Sequence, residues 1–290
     1  MRMRLFAAVG LAIGLAIAGP AASQDSEGVK VSRKSVFRYA VGAETIERQA
    51  ESQFVQMTRQ AFQKRALLPD DHPTVQRLRK ISKELLPGAV KFNERAKDWK
   101  WEVHALNSPQ INAFCMPGGK IAFFTGILEK LQLTDDEVAM VMGHEIGHAL
   151  WEHARERAGK GMAVNAGRVI AGLVFGQLGE VVGAGAGSLA TLKFSRNDEL
   201  EADLIGMELA ARAGYDPRSG ITLWEKMAKA AQGAPPQWLS THPAGATRID
   251  AIKKRLVKYK RKDGTDLSFT IYTPPDYQEG KRIPSILYAY

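Results

Sequence analysis

His144-Glu145-Ile146-Gly147-His148 sets two imidazoles four positions apart, with a carboxylic acid between them, inside a run whose apolar residues recur at helical spacing. On an α-helix, residues four apart share a face, so both rings can reach one metal ion. Glu145 lies about 100° round the axis from His144, where it reaches a water beside the ion and not the ion itself. These types at this spacing are suited to activating water on zinc at neutral pH. Two histidines make half of a tetrahedral site, and a catalytic zinc takes a third protein ligand plus an open position. Glu199-Leu200-Glu201-Ala202-Asp203 offers candidates: Glu199 and Asp203 share a helix face, and Glu201 points away from both. One carboxylate can bind the ion while the other accepts the free N–H of a ligating histidine and so fixes its tautomer.

The elements that must position these groups are legible around them. Thr134-Asp135-Asp136-Glu137 is a capping box that starts the histidine-bearing helix. Val138, Val141, Met142, Ile146 and Ala149 make that helix largely buried. His153 stands at a spacing that does not join the metal pair and reads as an ordinary residue, as do His72 at a helix start and His104 on a strand. Ser195 caps a helix from Arg196 to Gly214, and Asp216-Pro217 opens another through about Ala231. Upstream, Ile46, Phe54, Met57, Ala61 and Phe62 predict a helix from Ala43 to about Leu67. A second helix runs to Leu86, with Asp71 as N-cap and Pro73 in its first turn, and stops at Pro87-Gly88. Residues 101–106, 111–115 and 120–124 read as strands, joined through Asn107-Ser108-Pro109 and Pro117-Gly118-Gly119. A short helix from Thr125-Gly126 ends near Leu133. The fold class is α+β: mainly helical, with a small β-sheet beside the HExxH helix.

Taken together, His144-Glu145-Ile146-Gly147-His148 and Ser195-Arg196 before Glu199-x-x-x-Asp203 resemble peptidase family M48, the group of HtpX-, BepA- and LoiP-like zinc metalloproteases. Asn112-Ala113-Phe114-x-x-Pro117-Gly118-Gly119, Gly214-Tyr215-Asp216-Pro217, and Thr241-His242-Pro243 with Arg248 extend the likeness over roughly residues 40 to 258. The resemblance implies a gluzincin, a zincin-type domain with one Zn2+ held by His144, His148 and Glu199. It implies Glu145 as general base and then proton shuttle to the leaving amine. Asp203 would orient a ligating histidine, and His242 would help to stabilise the tetrahedral oxyanion. Asn112 and the turn Pro117, Gly118 and Gly119 would present an edge to substrate backbone. Cys115, with no matched base, reads as a packed side chain. Some members carry several membrane-spanning helices and others continue into helical repeats. This sequence shows neither pattern, so the likeness points to the soluble periplasmic branch.

Composition frames the rest. A hydrophobic content of 45% and a charged content of 24% are those of a globular protein. The single cysteine excludes an internal disulfide. Met1-Arg2-Met3-Arg4, the apolar Leu5 to Gly19 and Ala21-Ala22-Ser23 read as a secretory signal over residues 1–23 and an exported, periplasmic protein. Those residues hold two Arg and no acid, so the remainder carries +7 of the formal +9. A flexible segment over 24–42 leads to the metallopeptidase domain, 43–258. Residues 161–192 are rich in Gly, Ala and Val and are expected to form a mobile, partly buried helical insert, with a membrane-touching hairpin as the alternative. The basic run Lys253 to Lys262 reads as a solvated helix end, with attraction to anionic lipid as the second possibility. Without aromatic stacking platforms beside it, no nucleic-acid partner is expected. In the β-rich extension 259–290, strands are expected over 267–273 and 283–290. Thr273-Pro274-Pro275-Asp276-Tyr277 and Ile283 to Tyr288 resemble the opening strands of prolyl-oligopeptidase hydrolase domains. No G-x-S-x-G turn accompanies them, so no serine-hydrolase activity is expected. The function expected is zinc-dependent endopeptidase action on misfolded or misassembled envelope proteins. The alternative is a latent or non-catalytic, chaperone-like zinc-binding protein at the membrane surface.

Overall fold

The computed structural model describes residues 29, 31–164, 194–231, 236–242, 248–250, 256–260 and 266–270. The expected signal over 1–23, most of the insert and the strand expected over 283–290 lie outside the described residues.

Three strands form the sheet beside which the site is built: β1 (Glu102–Leu106), β2 (Ala113–Met116) and β3 (Lys120–Phe124), in the order β1-β3-β2. β1 runs parallel to β3, pairing Val103 with Ile121, and β2 runs antiparallel to it, pairing Cys115 with Ile121. The β2–β3 connection is tight because Pro117 precedes Gly118 and Gly119, both in the left-handed region at φ 83° and 80°. Alternation along β3 divides the core in two. Ile121 and Phe123 face one side, and Ala122 and Phe124 the other. The second side receives Ala50, Phe54, Met57 and Ala61 of α1 (Ala43–Gln63). The first receives Val75, Leu78, Ile81 and Leu85 of α2 (Pro73–Leu85) together with α4 (Asp135–Leu150).

After α3 (Thr125–Lys130), α4 begins at the expected cap: the Thr134 hydroxyl accepts from Glu137 N–H and the Glu137 carboxylate accepts from Thr134 N–H. Every residue from Glu137 to Leu150 is buried. The helix is enclosed by β2, α2, α6 (Arg196–Arg212) and α7 (Ser219–Ala230). Its approach to α6 is backbone to backbone. A Cβ on Gly143 would lie 2.9 Å from Gly206 O, one on Gly147 2.9 Å from Ala202 O, and one on Gly206 2.6 Å from His144 N. Small residues four apart on each helix therefore set how closely the histidine-bearing and carboxylate-bearing helices meet. Between them in sequence, α4 stops at Leu150, Glu152 takes φ 64° and α5 (His153–Val164) starts at once in a new direction. Among the described residues no helix is long and apolar enough to cross a membrane.

Three local expectations needed adjustment. His72, and not Asp71, caps α2: its Nδ1 accepts from Thr74 N–H at 3.2 Å. α1 stops four residues early, where Arg65 turns the chain at φ 56°. Within the basic run, Leu256–Lys260 is strand β4, paired antiparallel with β5 (Asp266–Thr270), so the expected helix end is absent there. Val257 and Tyr259 alternate with Lys258 and Lys260, a two-residue period that outweighs the charge pattern.

Candidate metal centre

The glycine contact brings one face of α4 against one face of α6. His144 Nε2 and His148 Nε2 converge to 3.0 Å, and Glu199 reaches them with Oε2 3.7 Å from the first and Oε1 3.6 Å from the second. His242, just beyond the short α8 (Gln237–Thr241), completes the group. One ligand atom from each of His144, His148, Glu199 and His242 lies within 4.8 Å of the others, and all four residues are buried. Two ring nitrogens at 3.0 Å either share a proton or, with both lone pairs turned inward, repel unless a cation lies between them. Glu199 Oε1 and His242 Nε2 are buried without a hydrogen-bond partner, a condition that costs about 1–3 kcal/mol for each such atom. A divalent cation removes all three liabilities, and imidazole with carboxylate suits zinc. The residues fit the metal.

Asp203 stands behind His144, accepting from Nδ1 at 2.9 Å, and so leaves Nε2 as the lone pair aimed inward. Arg248 in turn grips Asp203 with two hydrogen bonds of 2.6 Å and lies over the Trp224 ring, 3.9 Å from its centroid. Its third nitrogen touches Glu199. Glu145 points past the ligand atoms. The Trp238 indole N–H donates to its Oε1 at 2.6 Å, the Cys115 backbone N–H faces it, and His242 Nε2 lies 3.6 Å away. Trp238 is fully buried and stacks on His242 with ring centroids 4.8 Å apart.

Burial dominates the electrostatics. It pulls His144 down to about 4 and holds His148 and His242 well below the usual imidazole range, so all three are neutral and ligand-ready at pH 7. It pushes Glu145 up to about 8, against the pull of Trp238 and Arg248. Glu199 rises to about 9 because burial, with Asp203 and Glu145 nearby, outweighs the opposing pull of the Arg248 charge. Asp203 goes the other way: burial raises it, but the charge and hydrogen bonds of Arg248 and those of His144 outweigh that and hold it at about 2. Burial lifts the Cys115 thiol well above its ordinary value, which leaves it unreactive.

The structure thus gathers His144, Glu145, His148, Glu199, Asp203 and His242. The expected substrate-edge residues belong to the adjoining β2–β3 segment, where Ile111 O accepts from the Trp238 backbone N–H and the Cys115 N–H faces Glu145. The Asn112 side chain accepts from Ala113 N–H, Gly118 lies against Glu47 and Gly119 against Trp101. Three partners went unread: Trp238, Arg248 as a clamp, and His153, whose Nδ1 lies 2.9 Å from His148 Nδ1. The last was concealed by the chain reversal at Glu152, since spacing arguments assume one continuous helix.

Comparison with known proteins agrees with this arrangement. The model of Peptidase family M48 matches residues 73–256. The chain is 45% identical over 150 residues to mitochondrial metalloendopeptidase OMA1 of Arabidopsis thaliana, covering 51% of this chain and 30% of the relative. It is 33% identical over 150 residues to metalloprotease LoiP of Escherichia coli, covering 50% and 59%. With the β-barrel assembly-enhancing protease of Escherichia coli it shares 30% identity over 165 residues, covering 52% and 33%. The chain spans between about a third and three fifths of the length of the curated relatives it matches. The periplasmic destination read from the N-terminus is corrected here, because five relatives from plant, yeasts and mammals are mitochondrial by name. A basic, acid-free N-terminus is common to export signals and mitochondrial leaders, and therefore does not separate them. With a buried cluster able to hold a metal ion and the family's model covering well over half its length, the chain belongs to Peptidase family M48.

Proposed function

We propose that the protein is a zinc metalloendopeptidase cleaving misfolded or misassembled membrane-associated proteins. The observation that carries the reading is a buried glutamic acid, Glu145, held by an indole N–H beside three convergent ligand atoms. Zinc held by His144, His148 and Glu199 supplies Lewis acidity toward water and the scissile carbonyl when bound. Glu145 takes the proton of the attacking water and delivers it to the leaving amine, a role matched by a carboxyl raised toward neutrality. Asp203 keeps His144 in its ligand tautomer, and Arg248 keeps Asp203 ionised. β2 is an edge of its sheet, so an extended substrate backbone can add to it, consistent with the proposed role of Asn112 and the hairpin. The substrate class draws support from the name of the β-barrel assembly-enhancing relative. The basic Lys253 to Lys262 run offers attraction to an anionic membrane surface.

The test is casein cleavage by the purified protein and by Glu145→Gln. The variant is expected to keep about one zinc per chain and lose cleavage. Retained cleavage, or wild-type protein that binds no metal, refutes the reading.

One observation favours a second reading for the resting protein. His242 Nδ1 lies 3.1 Å from the Trp238 carbonyl and donates to it, so the neutral ring presents a lone pair at Nε2. A lone pair there suits a ligand and not an oxyanion donor, which favours a latent state with His242 in the fourth position. His242→Ala separates the roles: raised basal cleavage supports the latch, lowered cleavage the oxyanion donor.

A further inference from the structure

Behind His148 the hydrogen-bonded chain continues outward. His148 Nδ1 meets His153 Nδ1 at 2.9 Å, and His153 Nε2 meets Glu201 Oε2 at 2.9 Å. The His153 side chain is fully enclosed, and the other Glu201 oxygen accepts from the Ser32 hydroxyl. Phe194 stacks on His148 at 3.8 Å and limits rotation of the ring.

We propose that His153 and Glu201 are positioning residues that impose on His148 the tautomer a metal ligand needs, an inference that rests on His148 being such a ligand. Two ring nitrogens at hydrogen-bond distance share one proton, so one donates and the other accepts. The Glu201 carboxylate only accepts, and therefore takes the proton on His153 Nε2. A neutral His153 then carries its lone pair on Nδ1, which requires His148 Nδ1 to be the donor. His148 Nε2 is left with a lone pair facing His144 and Glu199. Asp203 performs the same task for His144 in one step; for His148, an imidazole spacer carries the instruction from a carboxylate on the outer side of α6. Glu199 and Glu201, two residues apart on one helix, thus serve the ion from opposite directions: one within reach of it, the other through two rings.

The test measures zinc dissociation constants by chelator competition on the full chain. His153→Leu and Glu201→Ala are expected to weaken binding roughly ten- to a hundredfold. His153→Gln is expected to stay near the wild-type value, because its amide accepts from His148 and donates to Glu201. Circular dichroism of the metal-free proteins establishes folding; if His153→Leu does not fold, Glu201→Ala, at the outer end, decides. Nitrogen-15 spectra of the metal-free wild type are expected to show the His148 proton on Nδ1. Wild-type zinc affinity in a folded Glu201→Ala, or a Gln variant as weak as Leu, overturns the relay. His153, Asp198 and Glu201 also lie close enough to hold a cation of their own, so two zincs per chain, one of them lost with Glu201→Ala, would overturn it too. Undiminished affinity in His148→Ala would refute the metal-centre reading itself, whereas loss there with none in Glu201→Ala would refute only the relay.

Discussion

Replacing Gly206 with alanine tests whether helix proximity creates the metal centre. The added Cβ would stand 2.6 Å from His144 N and 2.8 Å from Gly143 C, where ordinary van der Waals contact begins at 3.4 Å. Both obstacles are backbone, so no rotamer change relieves them, and α4 and α6 must separate locally by roughly 0.8 Å. If that displacement is taken up by the His144–Asp203 hydrogen bond, its 2.9 Å becomes about 3.7 Å, beyond hydrogen-bonding reach. Overpacking costs about 1–3 kcal/mol, partly offset by about 1 kcal/mol from alanine's better helix propensity. The larger effect is on the ion: loss of the group orienting His144 is expected to weaken zinc binding about ten- to a hundredfold. Chelator competition and thermal melting with and without zinc measure both quantities. Gly214→Ala is the control, because Gly214 also adopts a demanding conformation, φ 86°, yet a Cβ there meets nothing within 4 Å. It should lose about 1 kcal/mol and bind zinc normally. A Gly206→Ala protein with wild-type zinc affinity refutes the idea that this contact sets the site.

Further expectations follow from the same atoms. Glu199, raised to about 9 without metal, is protonated at pH 7 and must release its proton to ligate; affinity therefore increases as pH rises toward 9, at about tenfold per unit. Calorimetry in buffers of differing ionisation enthalpy should find about one proton released per zinc, and none released refutes the protonated site. Trp238→Phe keeps the stacking but removes the donor to Glu145, so the Glu145 pKa rises and the acid limb of the pH–rate profile moves to higher pH; an unmoved limb removes Trp238 from that role. Arg248→Ala leaves the buried Asp203 carboxylate without its cation, and is expected to cost about 3–5 kcal/mol by urea unfolding. In wild type, the depressed Asp203 pKa contributes stability above its ordinary 3.8, which is lost as pH falls from there toward 2. Arg248→Ala should lose that acid-side slope.

The histidine-bearing helix was legible because its evidence is local: a capping box, a buried apolar pattern and a four-residue spacing all fall within Thr134–Leu150. Glu199 and Asp203 were legible for the same reason, each within one helix of regular period. What escaped depends on chain path. Trp238 serves Glu145 across 93 positions and Arg248 serves Asp203 across 45, separations that no periodicity encodes. His153 was hidden because Glu152 turns the chain at a positive φ without the glycine or asparagine that usually announces one. The strand at Leu256–Lys260 was hidden by charge, since lysines that suggested a helix end sit at every second position.

A thermodynamic corollary follows if substrate adds, as proposed above, to the edge strand β2. A polypeptide can lie along it only by surrendering its own backbone partners over several residues. A well-folded domain that needs about 4 kcal/mol to open such a stretch offers it roughly a thousandth of the time, while a chain that never completed its fold offers it continuously. Discrimination between sound and faulty proteins would then require no recognition of any side chain, only the absence of prior commitments along the victim's main chain.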